Sequence, residues 1–326
     1  MINRSSNEKF MGPTFVWWQG VVEDIDDPLK LGRVRVRVLG YHNENRNQIP
    51  VEHLPWAPVV SPVNSAAMSG IGQSPTGLLC GSWVMGFFRD GEEAQEPVVF
   101  GSLTGLPNEK RSQSQGFSDP NGIYPKEDYL EESDVSRLAR GDSTGKTIVA
   151  TKISSIETDI EKALNRGQWS EPETPYAAVY PKNHVIETES GHVQEFDDTP
   201  GKERIHTYHK SGTFHEIHPD GSSVVKVVSD NYTIVLQDNK ILVKGSESNK
   251  IDGSLDTRVG KNVNLHVEGD VNILVEGDAT IQTNGNFFHK VKGVYAVVSE
   301  GNMVFAAPRI DFNPSDVAGG IEDPLP

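Results

Sequence analysis

The 326-residue chain carries 46 acidic and 30 basic residues, so its formal net charge is −16 and it has no basic surplus for binding nucleic acid by bulk electrostatics. Its single cysteine, Cys80, excludes an intrachain disulfide, and no apolar run approaches the length of a membrane span. The first residues lack the apolar core of a signal peptide, so we expect a soluble protein made in a reducing compartment. The 31 glycines and 20 prolines favour turns and strands over long helices.

The first part of the chain is rich in predicted strands. After an N-terminal arm at 1–13, we assign residues 14–105 to one domain. An apolar run at 14–22 ends in an acidic turn, and further strands are predicted at 81–88 and 97–103. Turn residues separate these strands at modest spacing, which is typical of a small antiparallel barrel.

A further strand, at 32–39, alternates strictly between valine and arginine. Because successive strand residues point to opposite faces, the valines face a core and the arginines face away from it. The arginines are Arg33, Arg35 and Arg37. Such a row could bind an anionic ligand, but it is more often a solvated or partner-facing side. We therefore regard the three as candidate contacts with a protein partner.

Residues 106–180 form a polar connector in which prolines interrupt regular structure. One short helix is predicted near 154–166, because Ser154 and Glu157 have capping-box spacing and Gly167 supplies a stop. Its apolar face would consist of Ile156, Ile160 and Leu164. The rest of the connector is expected to be extended.

Glycines in the last part of the chain recur at intervals that are multiples of eight residues. They are Gly245, Gly253, Gly269, Gly277, Gly285, Gly293 and Gly301. At the one missing position, Lys261 follows a displaced Gly260. Each repeat is expected to be a short strand and a tight turn, in which glycine permits a positive φ.

Between these glycines the odd-numbered positions are largely apolar, and the even-numbered positions are mostly polar up to Lys292. We assign to an inward-facing core Val263, Leu265, Val267, Val271, Ile273, Val275, Ile281, Phe287, Val291, Tyr295 and Val297. An up-and-down meander is one alternative, but the residues at the turns are poor hairpin formers. A single-chain β-helix would need a repeat of roughly 24 residues with distinguishable faces. Three identical chains wound together explain why all octads look alike, and one chain alone would leave apolar faces and strand edges exposed.

These parts resemble the central spike protein family of contractile-tailed phage baseplates, which is related to the spike part of VgrG in type VI secretion. The segments that carry the resemblance are 20–24, 27–36 and 97–103 for an OB-fold domain, and 195–201, 205–214, 267–270 and 275–278 for a triple-stranded β-helix. The sequence thus predicts an all-β protein with an N-terminal OB-fold barrel at 14–105 and an extended connector at 106–180. An intertwined trimeric triple-stranded β-helix would follow at 181–310, with a C-terminal tip segment at 311–326.

The resemblance implies a structural protein of the virion tail baseplate, assembled in the host cytoplasm. From the residues themselves we expect no cofactor or metal. The homotrimer would attach to the tail hub at the OB-fold end, where the arginine row would contact the hub. A PAAR-type tip protein would cap the other end. Sheath contraction would drive the spike through the host outer envelope.

Some relatives carry a lysozyme domain between barrel and β-helix, but here that interval holds only the connector. Its carboxylates are interpreted as solvated surface: Glu127, Asp128, Glu131, Glu132 and Asp134. Three alternatives stay open at this point. They are a muramidase-like hydrolase with its site in the connector, a barrel that binds an oligosaccharide or a single strand, and the spike of a related contractile injection system or type VI apparatus.

Histidine is a common metal ligand, so the histidines are candidates for a metal site. Four lie close together in sequence: His206, His209, His215 and His218. Strand geometry points 206 and 209 to opposite faces, and likewise 215 and 218, so we expect no metal there. Relatives with a sharpened tip bind iron through His-x-His, a pair that this chain lacks beyond residue 250. His289, at an odd position, could meet its copies on a threefold axis and bind an ion, or form a hydrogen-bonded layer.

Overall fold

The computed structural model describes residues 15–74, 77–142, 147 and 156–310. The predicted arm at 1–13 and tip segment at 311–326 lie outside these residues. The chain divides into two compact units, the first ending at Ser254 and the second beginning at Leu255. Regular structure in the described residues is β-strand with a few single turns of 3-10 helix, so the predicted all-β class is confirmed. No helix in this part of the chain is long and apolar enough to cross a membrane.

Five strands form the N-terminal sheet: β1 (Val16–Asp24), β2 (Val34–Val38), β3 (Trp56–Ala57), β4 (Trp83–Phe88) and β5 (Pro97–Ser102). They are hydrogen-bonded in the order β3-β2-β1-β4-β5, and each neighbouring pair is antiparallel. Just after β3, Val59 forms a parallel bridge with Val99 of β5. This bridge joins the two edges of the sheet, as expected of the predicted small barrel.

The barrel core follows the alternation seen in the sequence. The three valines of β2 are buried, and they pack with Trp18 of β1 and Phe88 of β4. Full burial of such side chains stabilises the fold by about 1.5–3 kcal/mol each. Gly86 is required by this packing, because a Cβ there would lie 2.0 Å from the carbonyl oxygen of Val98 and 2.4 Å from the Trp18 ring.

The helix predicted near 154–166 is wrong for residues 156–166. That stretch holds the short strand β6 (Ile160–Glu161) and a 3-10 turn at Ala163–Asn165, and β6 pairs with β7 (Gln168–Trp169). Leu164, expected on the apolar face of a helix, has a φ of 57°. A left-handed backbone at this position ends any right-handed helix. Ser154, the predicted cap, lies outside the described residues.

A second sheet follows the connector. Its strands are β8 (Asn183–Glu187), β9 (Val193–Asp197), β10 (Arg204–Tyr208), β11 (Phe214–Ile217) and β12 (Ser223–Lys226). They form an antiparallel meander in which each strand pairs with the next. Residues 183–226, the first part of the predicted β-helix at 181–310, thus form an antiparallel sheet within one chain, and a β-helix in the residues that follow stays a prediction. The described residues 227–310 contain no strand.

Candidate functional site

The arginine row on β2 is not an open surface. Arg37 Nε lies 2.9 Å from Glu23 Oε1, and both side chains are fully buried. The guanidinium also donates to the carbonyl oxygens of Asn43, at 2.6 Å, and Ile49, at 2.8 Å. The predicted hub contact is therefore wrong for Arg37, because the chain that follows β2 encloses its guanidinium.

Arg33 and Arg35 keep part of their surface exposed, 21% and 16% of their side chains. Arg33 Nη2 lies 2.6 Å from Asp27 Oδ1, and this hydrogen bond holds the pKa of Asp27 well below its usual range. Both guanidinium groups lie over the Trp56 ring, at 5.5 Å and 4.6 Å from its centre. A contact with a partner through these two arginines stays a prediction.

Glu23 also anchors the start of the connector. Besides pairing with Arg37, it accepts hydrogen bonds from Arg46 Nε at 3.3 Å and from the Phe117 backbone N–H at 2.8 Å. Arg46 in turn donates to the carbonyl oxygen of Ser118 at 2.8 Å. We call Glu23, Arg37, Arg46 and the backbone at 116–118 the barrel clamp. Through it, the connector is fixed to the barrel by buried, charge-assisted hydrogen bonds.

A second arginine orders the middle of the connector. Arg137 is buried, with its Nε 2.9 Å from Glu132 Oε2 and its Nη1 3.1 Å from Asp128 Oδ2. Its guanidinium carbon lies 3.8 Å from the centre of the Tyr129 ring. Of the carboxylates interpreted as solvated surface, Glu132 is thus partly buried against this cation, at 21% exposure, whereas Asp128 pairs with it and stays 66% exposed.

The next residue, Leu138, attaches the connector to the meander. Its side chain is buried against Val193, Tyr208 and Phe214. Its carbonyl oxygen accepts hydrogen bonds from the Tyr176 hydroxyl at 2.8 Å and from Asn183 Nδ2 at 3.1 Å. The described connector up to residue 142 is therefore an ordered strap, held at both ends, rather than the extended linker that its polar composition predicted.

The covered face of the meander holds a cluster of buried charges. Arg204 donates to Glu195 Oε1 and to Glu216 Oε1, each at 2.7 Å, and His206 Nδ1 lies 2.8 Å from Glu195 Oε2. Asn183 adds a hydrogen bond to Glu195 at 2.8 Å. Burial favours the neutral carboxyl, but the bond to His206 and the charge of Arg204 outweigh it and lower the pKa of Glu195.

The four histidines that cluster in the sequence have different surroundings in the fold, and each contacts a different polar side chain. His206 is buried in the charge cluster, whereas His209 is exposed and bonds Ser211 at 2.8 Å. His215 bonds Ser223 on the outer face at 3.0 Å, and His218 lies 3.1 Å from Glu216 Oε2. Within the described ranges, no three metal-ligating side chains of one chain come together.

A cavity of about 270 Å³ lies between the barrel and the connector, next to Trp83 and Tyr124. Three carboxylates line it, those of Glu109, Asp119 and Asp134, and the last two hold backbone turns. Asp119 accepts N–H groups of the loop that follows it, including that of Tyr124 at 3.1 Å. Asp134 Oδ2 accepts the Gly105 N–H at 2.8 Å. Hydrolysis of a glycoside needs an acid and a base free to face the substrate, and these two are engaged structurally.

The octad register is visible in the backbone of residues 227–310. Bends recur every eight residues, at 228–229, 236–237, 244–245, 252–253, 260–261, 268–269, 276–277, 284–285, 292–293 and 300–301. The bend at 260–261 keeps its place although the glycine there is displaced. The bends at 228–229 and 236–237 come before the first octad glycine, Gly245. The eight-residue repeat therefore begins earlier in the chain than the glycines indicated.

The predicted positive φ at the octad glycines is wrong. None of them has a left-handed backbone, and a Cβ added at any of the seven would meet nothing within 4 Å. A single chain therefore gives no steric reason for glycine at these bends. A close approach by another backbone is the remaining common reason for glycine.

The odd-numbered apolar residues of this segment are exposed in one chain. Ile273, for example, is 82% exposed, and all eleven residues assigned to the inward core are at least 44% exposed. One contact joins two odd-numbered residues that are two apart: the ring centres of Phe287 and His289 are 4.6 Å apart. Exposed apolar side chains in such number are typical of an interaction site.

Known proteins match this chain as follows. Residues 40–186 match the family described as the Gp5 N-terminal OB domain. Protein Gp5 of Vibrio phage KVP40 is 45% identical over 257 residues, which are 69% of this chain and 61% of that protein. The pre-baseplate central spike protein Gp5 of Enterobacteria phage T4 is 43% identical over 154 residues, 46% of this chain and 26% of that protein. The chain thus aligns with less than two thirds of either relative, and the predicted OB fold and resemblance to central spike proteins are confirmed.

Proposed function

Because the chain is related to the Gp5 proteins of two phages, we propose that it is the structural central spike of a contractile phage tail baseplate. The observation that supports this most is the octad segment, whose apolar side and bend glycines have no partner within one chain. Both relatives come from phages, which favours a phage tail over a type VI apparatus.

In this proposal, three copies wind together along residues 227–310 into a triple-stranded β-helix. Each octad supplies one side of a layer, the odd-numbered residues meet at the threefold axis, and the glycines allow neighbouring backbones to approach. Burial of each apolar side chain contributes about 1.5–3 kcal/mol, so a trimer gains stability that a monomer lacks. A charge of −16 on every chain keeps the assembled spike soluble.

A continuous ladder of strands from three chains suits a device that is pushed through an envelope. No strand could leave without breaking hydrogen bonds to both other chains, so local unfolding would be suppressed. The barrel would attach to the tail hub, with Arg33 and Arg35 as the remaining contacts from the arginine row. A PAAR-type protein would cap the C-terminal end.

The proposed spike is not an enzyme. This is supported by four connector carboxylates, which are engaged with Arg137 or with backbone N–H groups: Asp119, Asp128, Glu132 and Asp134. A peptidoglycan-release assay tests this, and we expect no turnover above buffer. Turnover that disappears in Asp119→Asn or Asp134→Asn would contradict it and favour the hydrolase.

The mass of the full chain in solution tests the trimer. We expect native mass spectrometry to give three times the 35.8 kDa chain mass, and the trimer to persist in detergent without heating. A monomer at micromolar concentration would overturn the proposal.

A further inference from the structure

One octad bend carries a residue pair that the other octad bends lack. Asn284 precedes Gly285, whereas a charged residue precedes each of the other six octad glycines. An Asn-Gly step is chemically reactive, because the backbone nitrogen after asparagine can attack the carbonyl carbon of the asparagine side chain, and glycine has no Cβ to hinder the approach. The bend at 284–285 is therefore a candidate for covalent change.

Within one chain, the structure leaves this bend open. Asn284 and Gly285 are both exposed, and a Cβ added at Gly285 would meet nothing within 4 Å. The Gly285 N–H donates to the Thr283 hydroxyl oxygen over 3.4 Å, which is long for a hydrogen bond. The nitrogen is thus weakly held, and there is room for the ring closure that the attack requires.

The chain contains one other Asn-Gly step, Asn121–Gly122, and there the backbone is fixed. The Gly122 N–H donates to the carbonyl oxygen of Asp119 at 3.1 Å, and the Asn121 N–H donates to Asp119 Oδ1 at 2.9 Å. Gln113 Nε2 donates to the carbonyl oxygen of Asn121 at 3.1 Å. Because an engaged nitrogen must first give up its hydrogen bond, the same pair of residues should react more slowly here than at 284–285.

We propose that Asn284 is a site of spontaneous deamidation that is open in an unassembled chain and closed in the assembled spike. The protection rests on the proposed trimer, because only other copies can cover a bend that one chain leaves exposed. A chain that waits long for its partners is thereby marked chemically at one octad.

The reaction needs water and no other reactant. The Gly285 nitrogen loses its proton and bonds to Asn284 Cγ, and the side-chain nitrogen leaves as ammonia. Water then opens the resulting five-membered succinimide and leaves either aspartate or, as the main product, isoaspartate. Nothing is oxidised or reduced.

Assembly closes the site in two ways. In the proposed trimer, neighbouring backbones approach one another at the octad glycines, which removes the space for ring closure. Their carbonyl oxygens are also the partners that the Gly285 N–H needs once it is withdrawn from water. An assembled chain should therefore react as slowly at 284 as it does at 121.

Isoaspartate changes the bend in a way that three matched chains cannot accommodate. Its backbone passes through the former side chain, so the bend gains one carbon atom. The strands that follow then lose their register with the unmodified chains, and register decides which side chains face inward. A chain that carries isoaspartate at 284 should be excluded from the trimer.

Peptide mass spectrometry of the full chain, incubated in mildly alkaline buffer, measures deamidation at both Asn-Gly steps. The monomer for this test is the one of Ile273→Asp and Leu274→Asp that native mass spectrometry finds unassembled. In that monomer, Asn284 should react about fivefold or more faster than Asn121, the factor that one hydrogen bond of about 1 kcal/mol gives. In the wild-type trimer, the two rates should be similar.

A refolding experiment tests the exclusion of modified chains. Chains kept apart in urea, aged and then refolded should give fewer trimers than fresh chains, with isoaspartate at 284 confined to the chains left over. Asn284→Gln is the matched control, because glutamine would have to close a six-membered ring and reacts far more slowly. Both chains carry Asn121→Gln, since urea also frees that step. The trimer yield of the control should not depend on ageing.

Three results would overturn this site and leave the proposed spike intact. They are equal rates at Asn284 and Asn121 in the monomer, equal rates at Asn284 in monomer and trimer, and trimers that take up isoaspartate chains freely. A wild-type chain found monomeric in the same samples would instead remove the proposed spike, and the protection with it.

Discussion

Glu23 and Arg37 form a fully buried ion pair across β1 and β2, with Glu23 Oε1 2.9 Å from Arg37 Nε, and the same carboxylate oxygen accepts the backbone N–H of Phe117 at 2.8 Å. The pair thus has two structural roles. It is buried between β1, β2 and the chain that follows β2, and it binds the connector through the backbone of Phe117. This carboxylate helps to fix the connector to the barrel, together with the hydrogen bonds from Arg46 to Ser118 and from Gly105 to Asp134.

Arg37→Met should strongly destabilise the barrel, because it leaves the Glu23 carboxylate buried without its main partner. Removal of one member of a buried pair costs about 3–5 kcal/mol. Chemical denaturation followed by tryptophan fluorescence measures this loss. Arg35→Met removes a partly exposed arginine of the same strand, whose partner Asp24 is also partly exposed at 3.5 Å, and should shift the midpoint far less. Equal shifts for the two variants would show that the Glu23–Arg37 pair has no special role.

Gly116→Ala should loosen the barrel clamp. A Cβ at this position would lie 2.4 Å from Arg37 Cδ and 2.9 Å from the carbonyl oxygen of Glu44, so Arg37 must shift. Forced crowding of this kind costs about 1–3 kcal/mol. Gly105→Ala is a suitable comparison, because its Cβ would meet only Asp134 Oδ2, at 3.5 Å. We expect faster proteolysis of the connector in Gly116→Ala alone, and unchanged proteolysis would argue against the clamp.

The barrel shows what the sequence could and could not reveal. The alternation at 32–39 predicted correctly which face of β2 is buried in the barrel core, because a strand fixes that periodicity. It could not reveal that Arg37 is buried as well, since the enclosing loop and Glu23 come from elsewhere in the chain. Arg46 and Arg137 were missed for the same reason, as an arginine in a polar loop gives no local signal of burial.

The octads likewise were predictable only in part. The sequence predicted their eight-residue period, and the backbone bends recur with the same period. The backbone conformation of the octad glycines could not be predicted. A glycine can indicate either a left-handed backbone or the close approach of another backbone, and the sequence does not distinguish the two. The sequence could not reveal the meander at 183–226, because strands of an antiparallel meander and strands of a β-helix have the same alternation.

The buried charge cluster should make the meander sensitive to acid. The pKa of Glu195 is lowered below its ordinary value of 4.5, so its contribution to stability is present above pH 4.5 and is lost as the pH falls through the lowered value. Unfolding midpoints of the wild type should therefore fall with decreasing pH below 4.5. Glu195→Gln should be less stable at neutral pH and less dependent on acid. An acid dependence equal to that of the wild type would exclude Glu195 as its source.

Gly277→Ala should weaken the trimer without affecting one chain by itself. Its Cβ would meet nothing within 4 Å in a single chain, so any loss must arise from contact with another copy. Crowding at three equivalent sites should lower the temperature at which the detergent-resistant trimer dissociates. Glu276→Ala changes the even-numbered residue of the same bend and should leave that temperature nearly unchanged. A trimer equally stable in both variants would contradict close backbone approach at the bends.

The sharpest test of the octad register uses two adjacent residues. Ile273 and Leu274 are both apolar and both largely exposed in one chain, at 82% and 70%. The register places Ile273 inward and Leu274 outward, because successive strand residues face opposite sides. Ile273→Asp would put three unpaired carboxylates together on the threefold axis, where burial of unpaired charge is prohibitive. Leu274→Asp would place its carboxylate in water. Native mass spectrometry should therefore find monomers for Ile273→Asp and trimers for Leu274→Asp. The reverse result would shift the register by one residue and move every assigned core side chain to the outside.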